Sequence, residues 1–372
     1  MAAEADRVLT VNAGSSSLKL HVLDAEDGVI AVREADRVDD PEAAREELAA
    51  ILAECGGIDA AGHRIVHGGS TFTAPTVVDS DVERELDSLA DLAPLHNPPA
   101  VDAMRELDAL LPGLPTVACF DTAFHAGIPA AASTYAIPAA WSERWPLRRF
   151  GFHGLSHAYA SRRAAELLGR PVERLRLVTA HLGAGASLAA VRSGRSVDTT
   201  MGFTPLEGLV MATRSGSVDP GLLLWVQRHG GIGPEQMEAA LDRESGLLGL
   251  SGRSADMREV IAGKEAGDER CALAFDVYVH RLTAGIAAMA ASMGGLDGVA
   301  FTGGVGENSV PVREAACDGV SFLGLALDRE LNQSASGDRV ISAQGAAVPA
   351  VVVRAREEIE IAMQLRAALA AA

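Results

Sequence analysis

A strand–loop–strand pattern occurs twice in this chain, and this repeat limits the possible fold more than any other feature. Residues 7–12 form a short apolar run that ends in a loop of small residues, and residues 18–23 alternate as a second strand. The same order returns at residues 177–191, where His181 stands 169 residues after Asn12. Two such hairpins predict two similar α/β halves, although hairpins with glycine at the tip also arise independently.

The length of the chain agrees with two halves. Its 372 residues, 48% hydrophobic and 22% charged, have the profile of a folded protein with two domains of about 150 to 200 residues each. Strand patterns alternate with helix patterns, which predicts an α/β fold. Helices are predicted at residues 41–55, 80–92, 156–168, 272–293 and 357–371, and further strands at 114–120, 298–302 and 350–353.

The charge of the chain argues against two classes of partner. Fifty acidic residues against 32 basic ones give a formal charge of −18. Binding to nucleic acid or to an anionic membrane requires a broad basic surface, so neither partner is expected. Only Lys19 and Lys264 are lysines, which makes Lys19 conspicuous beside its small-residue loop.

Cysteines and apolar stretches predict a protein of the cytoplasm. The four cysteines lie far apart without a CxxC pair, which fits a reducing compartment. The first residues include Glu4 and Asp6 and do not resemble a signal peptide. The longest uncharged apolar stretch, residues 282–296, has 15 residues and three glycines, so it is predicted to be a buried helix rather than a membrane span.

Several well-known motifs are absent from the sequence: GxxxxGK[ST], a complete GxGxxG after a strand, HExxH and GxSxG. The pairs His63/His67 and His153/His157 have a spacing that would suit zinc on a helix. Both pairs stand in glycine-rich segments without a nearby third ligand, which argues against a metal there.

Seven segments combine glycine with hydroxyl, arginine or histidine side chains and are the candidate functional loops. They are NAGSSSLK (12–19), GHRIVHGG (62–69), FDTAFH (120–125), RRFGFHGLSH (148–157), residues 198–220, residues 245–258 and FTGGVGEN (301–308), a strand that enters a glycine turn. Each alone fits ordinary structure: Arg64 fits a structural ion pair and Asp121 an N-cap. Together they predict a bound anion, with the phosphates of a nucleotide as the best fit.

Read in order, these segments and HLGAGAS (181–187) resemble the signature segments of the acetate kinase family, and EEIEIAM (357–363) resembles the start of its C-terminal helix. The resemblance covers essentially the whole chain. It implies an α/β fold of two duplicated ribonuclease-H-like, actin-like ATPase lobes with an active-site cleft between them. The N-terminal lobe is then expected to comprise residues 1–125 and 359–372, and the nucleotide-binding lobe residues 126–358.

The resemblance also implies a homodimer that transfers phosphate reversibly between ATP and acetate, with Mg²⁺ or Mn²⁺, giving ADP and acetyl phosphate. The expected catalytic residues are Asp121, His153 and Arg214. The expected acetate pocket consists of Arg64, Val66, Leu95, Phe152 and Pro205, and the expected magnesium ligands are Asn12 and Glu357. The nucleotide is expected to contact Lys19, His181, Leu182, Gly183, Ala184, Gly185, Asp256, Met257, Arg258, Gly304, Val305, Gly306, Glu307 and Asn308.

The chemistry of a carboxylate acceptor fits these roles. Acetate has a pKa of roughly 4, so it is ionised at neutral pH and needs no general base. Asp121 is then better suited to a magnesium or water network that positions the phosphoryl group. The main barrier is the approach of two anions, which the two arginines, His153 and Mg²⁺ would lower.

The chain departs from the family pattern at several positions. The usual HLGNGSS reads HLGAGAS here, so Ala184 lacks an amide that would otherwise reach a phosphate, unless water replaces it. Arg356 precedes the acidic pair where the family has asparagine, which weakens the assignment of Glu357 to magnesium. Leu155, Thr200 and Ala212 also differ from the expected residues.

Alternative functions remain open at this point. Propionate kinase is a near alternative, because one methylene changes discrimination by only about 1–3 kcal/mol, although Val66 narrows the pocket toward acetate. Butyrate kinase is further away, because GFTPLEG is of the acetate type. A catalytically weakened paralogue fits the departures, and a nucleotide-driven scaffold protein would share the fold.

Overall fold

The computed structural model describes residues 5–13, 17–36, 41–94 and 96–372, and the chain divides into two compact units. The first unit comprises Met1–Ala126, Phe152–Tyr159 and Arg356–Ala372, and the second comprises Gly127–Gly151 and Ala160–Ala355. Ala126 and residues 152–159 and 356–358 were expected in the C-terminal half but lie in the first unit. Among the described residues, none of the helices combines the length and apolar character that a membrane span requires.

The first unit is built on a six-stranded sheet with the order β3-β2-β1-β4-β6-β5. Strands β1, β4 and β6 run parallel, and β2, β3 and β5 pair antiparallel with their neighbours. The buried strands are rich in Val, Ile, Leu and Ala, as expected for strands covered on both faces. The six strands are β1 Val8–Ala13, β2 Ser17–Leu23, β3 Val29–Asp36, β4 Ala60–Ile65, β5 Thr76–Val77 and β6 Thr116–Phe120.

The second unit repeats this sheet with the order β11-β12-β10-β7-β8-β9. Its parallel strands are β7, β10 and β12, and its hairpin strands are antiparallel. The strands are β7 Arg176–Leu182, β8 Ala186–Arg192, β9 Arg195–Thr199, β10 Gly298–Thr302, β11 Arg339–Val340 and β12 Ala350–Val352. The prediction of two similar α/β halves is confirmed.

The register of the two sheets matches as well as their order. Val8 pairs with Ala60 in the first sheet and Leu177 with Gly298 in the second. If Asn12 is aligned with His181, the register therefore places Arg64 at the same position as Thr302. The same alignment pairs Lys19 with Ser187, Asp121 with Ala355, and His63 with Phe301.

Fifteen α-helices complete the described part of the chain. They are α1 Pro41–Cys55, α2 Ser80–Ser88, α3 Asn97–Leu110, α4 Ala130–Ser133, α5 Ala139–Arg144, α6 Gly154–Leu167, α7 Pro220–Gly230, α8 Pro234–Arg243, α9 Gly246–Ser251, α10 Met257–Glu265, α11 Glu269–Met293, α12 Gly303–Asn308, α13 Val310–Gly319, α14 Arg329–Gln333 and α15 Glu357–Ala371. The predicted helices 41–55 and 357–371 and the strand 298–302 have the predicted bounds.

Two predicted elements differ from the structure in type or by more than three residues at one end. The helix predicted at residues 80–92 ends at Ser88, because Leu89 leaves the helical conformation (φ −90°, ψ 2°) and a 3-10 turn follows. The glycine turn predicted in FTGGVGEN is instead α12, and only Gly303 has the left-handed conformation (φ 76°) that turns the chain from β10 into this helix.

Helices cover both faces of the first sheet. Side chains of α1 and α3 pack on one face, and Ile361 and Leu365 of α15 pack on the other. A side chain at Gly62 would place its Cβ 2.5 Å from Ile361 Cγ2, so glycine in β4 permits the close approach of α15.

Candidate active site

The ends of three parallel strands bring four polar side chains together in the first unit. Asn12 lies near the end of β1, Arg64 near the end of β4, and Asp121 directly after β6. Glu357 begins α15. The carboxyl ends of parallel strands share one edge of a sheet, which is the usual place for functional groups in α/β folds.

Arg64 is the centre of this group. Its Nε and Nη2 donate to Asp121 Oδ2 at 3.1 and 2.6 Å, and its Nη1 donates to Asn12 Oδ1 at 3.0 Å. Glu357 Oε2 lies 3.8 Å from Nη1 and accepts from Asn12 Nδ2 at 2.8 Å. Asp121 is thus the carboxylate partner expected if Arg64 has a structural role, and Asp121 is itself a predicted site residue.

Burial makes the charges of this group depend on one another. Asp121 is fully buried, and Arg64 and Glu357 are only 15% and 16% exposed. Burial works against the guanidinium, but Asp121 and Glu357 outweigh it and raise the pKa of Arg64. Burial raises the pKa of Asp121, and the adjoining Arg64 opposes that rise. Removing one charge would therefore leave a buried partner without compensation.

One oxygen of this group has no hydrogen-bond partner among the described residues. Asp121 Oδ1 is buried and makes no hydrogen bond to any residue that the structure describes. The backbone N–H of Leu155 lies close enough to the Asp121 carboxylate to lower its pKa, but Oδ1 itself makes no well-formed hydrogen bond, which is unusual for a buried carboxylate oxygen. The group thus has one acceptor available for a cation or a water molecule.

His153 lies beside this group in a strained loop. Its backbone has φ 55°, a left-handed conformation that non-glycine residues rarely adopt. The preceding carbonyl, that of Phe152, accepts a hydrogen bond from His125 Nε2 at 3.1 Å. A side chain at Gly154 would place its Cβ 1.9 Å from the Asp121 carbonyl oxygen. This close packing explains why residues 152–159 belong to the first unit.

The two histidine pairs differ from the predicted loop arrangement. His63 lies within β4 and His157 within α6, so neither pair has the loop placement predicted for it. Burial lowers the pKa of His63 to about 3, and neither of its ring nitrogens has a hydrogen-bond partner among the described residues. The described part of the chain contains no cluster of three or more His, Cys, Asp or Glu side chains suited to a metal.

Two of the predicted acetate-pocket residues are buried in the first unit. Val66 is 5% and Phe152 1% exposed, and the Phe152 ring meets the His67 ring edge-on at 5.4 Å. The buried side chain of Asn97 holds this loop, because its amide bonds both the N–H and the C=O of His67 at 3.1 and 2.9 Å. Leu95 lies outside the described residues.

The other two predicted residues around the acceptor, Pro205 and Arg214, belong to the second unit. Arg214 Nη1 donates to the Pro205 carbonyl at 3.2 Å, and its Nε lies 2.9 Å from Asp242 Oδ1. The loop that carries Pro205 is held by Glu207, which accepts from Tyr135 and Arg149 at 2.7 Å each. Arg214 is therefore oriented from two sides.

The second unit contains a cavity of about 570 Å³ where the nucleotide was predicted to bind. It is lined by eight predicted residues and by three that the sequence analysis missed, Ile261, Ser309 and Pro311. Ile261 follows Met257 by one turn of α10, so the helical period would have identified it. The predicted lining residues are Gly183, Ala184, Asp256, Met257, Arg258, Gly304, Val305 and Asn308.

Five further predicted nucleotide residues adjoin this cavity in sequence without lining it: His181, Leu182, Gly185, Gly306 and Glu307. Glu307 accepts from the backbone N–H of Ala355 at 2.9 Å, and the Gly306 carbonyl accepts from Arg313. Both therefore have structural contacts that hold α12 in place.

Lys19 is not among the residues that line this cavity. It lies in β2 of the first unit, paired with Asn12, and its ammonium lies 3.5 Å from Glu34 with about half of the side chain exposed. Arg356, the departure from the family pattern, is ion-paired with Glu358, whereas Glu357 bonds Asn12.

Asp256 and Arg258 form an ion pair at the cavity wall, with Nη2 and Oδ2 2.5 Å apart. Asp256 also caps α10 by accepting from the backbone N–H of Arg258 at 2.8 Å. The hydrogen bond from the Arg258 side chain lowers the pKa of Asp256. This turn thus adds two charges to a wall that is otherwise lined by apolar side chains, glycine backbone, Asn308 and Ser309.

Comparison with known proteins places this geometry in a family. The model of the acetokinase family matches residues 45–363. An acetate kinase of Leifsonia xyli subsp. xyli is 47% identical, over 98% of this chain and 99% of its own length. The solved acetate kinase of Porphyromonas gingivalis has a TM-score of 0.91 at 36% identity, over 98% of this chain and 100% of that one. A propionate kinase of Francisella tularensis subsp. tularensis has a TM-score of 0.90 at 32% identity, over 96% and 98%.

Proposed function

Since the chain belongs to the acetokinase family, we propose how it works as an acetate kinase that transfers phosphate between ATP and acetate. The first unit binds the acceptor and the second binds the nucleotide. The observation that carries this division is the arginine group around Arg64, which stands in the same unit as the buried apolar side chains of Val66 and Phe152. A fixed cation with small apolar neighbours suits a short-chain carboxylate.

Arg64 would bind the carboxylate of acetate. Its guanidinium is held by Asp121 and Asn12, so its direction is fixed before the substrate arrives, and such preorganised donors stabilise developing charge strongly. Acetate is already ionised at neutral pH, so no side chain needs to remove a proton. Transfer then depends on positioning and charge compensation rather than on acid–base chemistry.

His153 and Arg214 would stabilise the phosphoryl group during transfer. His153 is held in a strained backbone conformation, and strain of this kind is maintained where the surroundings fix a functional side chain. Arg214 is anchored by Pro205 and Asp242. Both groups are thus positioned in advance, as expected for residues that act on the transition state.

A magnesium ion fits the residues present in the first unit. Asp121 Oδ1 is a buried acceptor without a partner among the described residues, and Asn12 joins the carboxylate of Glu357. One or two carboxylates are enough, because Mg²⁺ keeps several waters and takes phosphate oxygens as ligands. Asp121, Asn12 and Glu357 would hold Mg²⁺, or Mn²⁺ with the same ligands, and the bound ion would neutralise phosphate charge.

A second copy of the chain is the expected protein partner. Helix α7 has no buried residue, and Leu222, Leu224 and Trp225 on it are 50%, 51% and 58% exposed. A surface helix this apolar is typical of an interface, so we propose a homodimer through α7, which the molecular mass in solution would test.

All four cysteines are free and buried, which supports a reducing compartment such as the cytoplasm.

The first experiment is the formation of acyl phosphate from Mg-ATP with acetate, propionate and butyrate in parallel, with hydroxylamine to trap the product. We expect the highest kcat/KM on acetate, because buried Val66 leaves little room for another methylene. Val66→Ala should then improve propionate relative to acetate. A preference of the wild-type chain for propionate would overturn the assignment of the pocket, and no product from any acid would overturn the proposal.

A further inference from the structure

We propose that Asp242 is a positioning residue for Arg214: it aims the guanidinium and offsets its charge until a phosphoryl group arrives. This inference rests on the proposed function, because it assumes that Arg214 acts on the phosphoryl group. It adds a residue outside every loop that the sequence motifs identified, since Asp242 lies in the last turn of α8.

The geometry leaves one side of Arg214 open. Nε lies 2.9 Å from Asp242 Oδ1, and Nη1 donates to the Pro205 carbonyl at 3.2 Å. Nη2 makes no hydrogen bond to any residue that the structure describes. Nη1 is thus held by a hydrogen bond and Nε by an ion pair, while Nη2 remains available for an anion, which suits an arginine that must point in one direction.

The backbone fixes the distance between the two charges. The hydroxyl of Thr213 donates to the Asp242 carbonyl at 2.8 Å, and the N–H of Ser215 donates to the Leu241 carbonyl at 3.0 Å. Both neighbours of Arg214 are therefore bound to the last turn of α8. The ion pair is also partly shielded, with side-chain exposures of 22% and 29%, so it differs from a chance contact between two mobile surface groups.

The position of Asp242 is itself informative. A carboxylate in the last turn of a helix is repelled by the negative end of the helix dipole. The same turn contains Arg243, but the side chain that contacts the Asp242 carboxylate is Arg214. A residue that weakens its own helix and faces an arginine of the proposed site is best explained by that arginine.

The presence of Asp242 has two opposite effects on a phosphoryl group. Its charge competes with the incoming anion for Arg214, which weakens ground-state binding. Its contact fixes the direction of the guanidinium, which favours the transition state. If the ion pair were purely structural, its loss would change stability but neither the ground-state binding of the phosphoryl group nor the stabilisation of the transition state. The two interpretations therefore predict different kinetics.

The test is Asp242→Asn in the reverse reaction, with acetyl phosphate and Mg-ADP as substrates. We expect kcat to fall about tenfold, because Arg214 is less well oriented, and KM for acetyl phosphate to fall about threefold, because the competing charge is gone. Asp242→Glu keeps the charge but moves it by one methylene, so KM should stay within about twofold of wild type while kcat falls. The matched control is Asp297→Asn, which removes a second Asp–Arg ion pair of the same unit, that with Arg176, and should change stability without changing KM.

The variant Arg214→Ala separates the proposed role of Arg214 from the proposed role of Asp242. If Arg214→Ala keeps near-normal turnover, the proposed role of Arg214 fails, and the role of Asp242 fails with it. If Arg214→Ala loses a hundredfold or more in kcat while Asp242→Asn changes neither kcat nor KM, the proposal for Asp242 alone is overturned. In the Arg214→Ala background, Asp242→Asn should have no further kinetic effect, and an equal effect in both backgrounds would also overturn it. If Asp242→Asn does not fold, the KM and kcat of Asp242→Glu decide the question.

Discussion

The two sheets share strand order and register, yet the residues at their matching strand ends differ in charge. Lys19, Arg64 and Asp121 stand at these positions in the first unit, and Ser187, Thr302 and Ala355 occupy the corresponding positions in the second. The duplicated fold supplies equivalent places at the edge of each sheet. Which ligand each edge accepts is decided by the side chains placed there.

The uncharged edge in the second unit suits a ligand that brings its own charge. Its cavity is lined by glycine backbone, apolar side chains, Asn308 and Ser309, with one ion pair at the wall. Backbone N–H groups can bind phosphates without a buried charge. The charged edge in the first unit suits a small carboxylate, because a fixed guanidinium attracts an acceptor that has few other features to recognise.

The largest expected effect comes from removing the positive charge of Arg64 at the edge of the first sheet. Arg64→Ala should lower kcat for acyl phosphate formation by about a hundredfold or more, the scale of a lost preorganised donor. It should also destabilise the chain by about 3–5 kcal/mol, because fully buried Asp121 loses its partner. Hydroxylamine trapping and urea unfolding measure the two effects.

The control for Arg64 is Arg105→Ala in the same unit. Arg105 is 43% exposed and ion-paired with Glu83 and Asp87, so its loss should cost less than about 1 kcal/mol and leave kcat unchanged. If the two variants lost the same stability and activity, the charge at the edge of the first sheet would have no special role.

The second unit can be tested by filling its cavity. A Cβ at Gly304 would meet no atom within 4 Å, so Gly304→Ile should fold normally but project into the cavity, raising KM for ATP about tenfold or more. KM for acetate should stay close to wild type. Equal increases in both KM values would contradict the separation of acceptor and nucleotide between the units.

The neighbouring glycine gives the matched control. Gly303 has φ 76°, and its Cβ would lie 2.8 Å from the Leu182 carbonyl oxygen. Gly303→Ala should therefore lower the free energy of unfolding through backbone strain, whereas Gly304→Ile should not. Steady-state kinetics with urea unfolding of both variants distinguishes occlusion of the cavity from damage to the fold.

The smallest expected effect concerns the matched core positions His63 and Phe301. Folding holds His63 neutral, with its pKa lowered to about 3 by burial, whereas the unfolded chain binds a proton below about pH 6.5. The stability that neutral His63 allows is present above pH 6.5 and lost as the pH falls toward 3, by up to about 1.4 kcal/mol per pH unit.

His63→Phe should remove this part of the pH dependence and be at least as stable as wild type at pH 7.5, because its ring has no polar nitrogen to desolvate. The measurement is the free energy of unfolding in urea at pH 5, 6 and 7.5. The control, Phe301→Leu, should lower stability by the same amount at each pH. An unchanged pH slope in His63→Phe would show that His63 is not held neutral.

The sequence predicted only part of the fold, because β3 and the 14-residue helix α3 were missed although both are long enough to have a period. The helix at residues 41–55 and the buried strand at 298–302 were predicted with the observed bounds. Strands β5 and β11 have two residues each, which is too short for a period of two to be visible, so both were missed. In FTGGVGEN the glycines suggested a turn, but packing against β10 and the contacts of Arg313 favour the helix α12.

The sequence proposes residues for the site, and these stay predictions, but it does not reveal the contacts between them. Strand ends and glycine loops marked Arg64 and Asp121, yet their pairing joins residues 57 apart in the chain, which only the register of β4 and β6 determines. Asp242 gave no signal, because a carboxylate late in a helix resembles any surface residue until Arg214 is placed beside it.

Helix α15 limits when the first unit can finish folding during synthesis of the chain. It covers one face of the first sheet, and its Ile361 lies 242 positions beyond Cys119, whose thiol contacts the Ile361 carbonyl. At about 5–20 residues per second, a ribosome needs on the order of ten seconds or more to make that stretch. The strands that are synthesised first therefore keep one apolar face of the sheet uncovered until α15 has been made. Glu357, which completes the arginine group, is synthesised as part of the same helix.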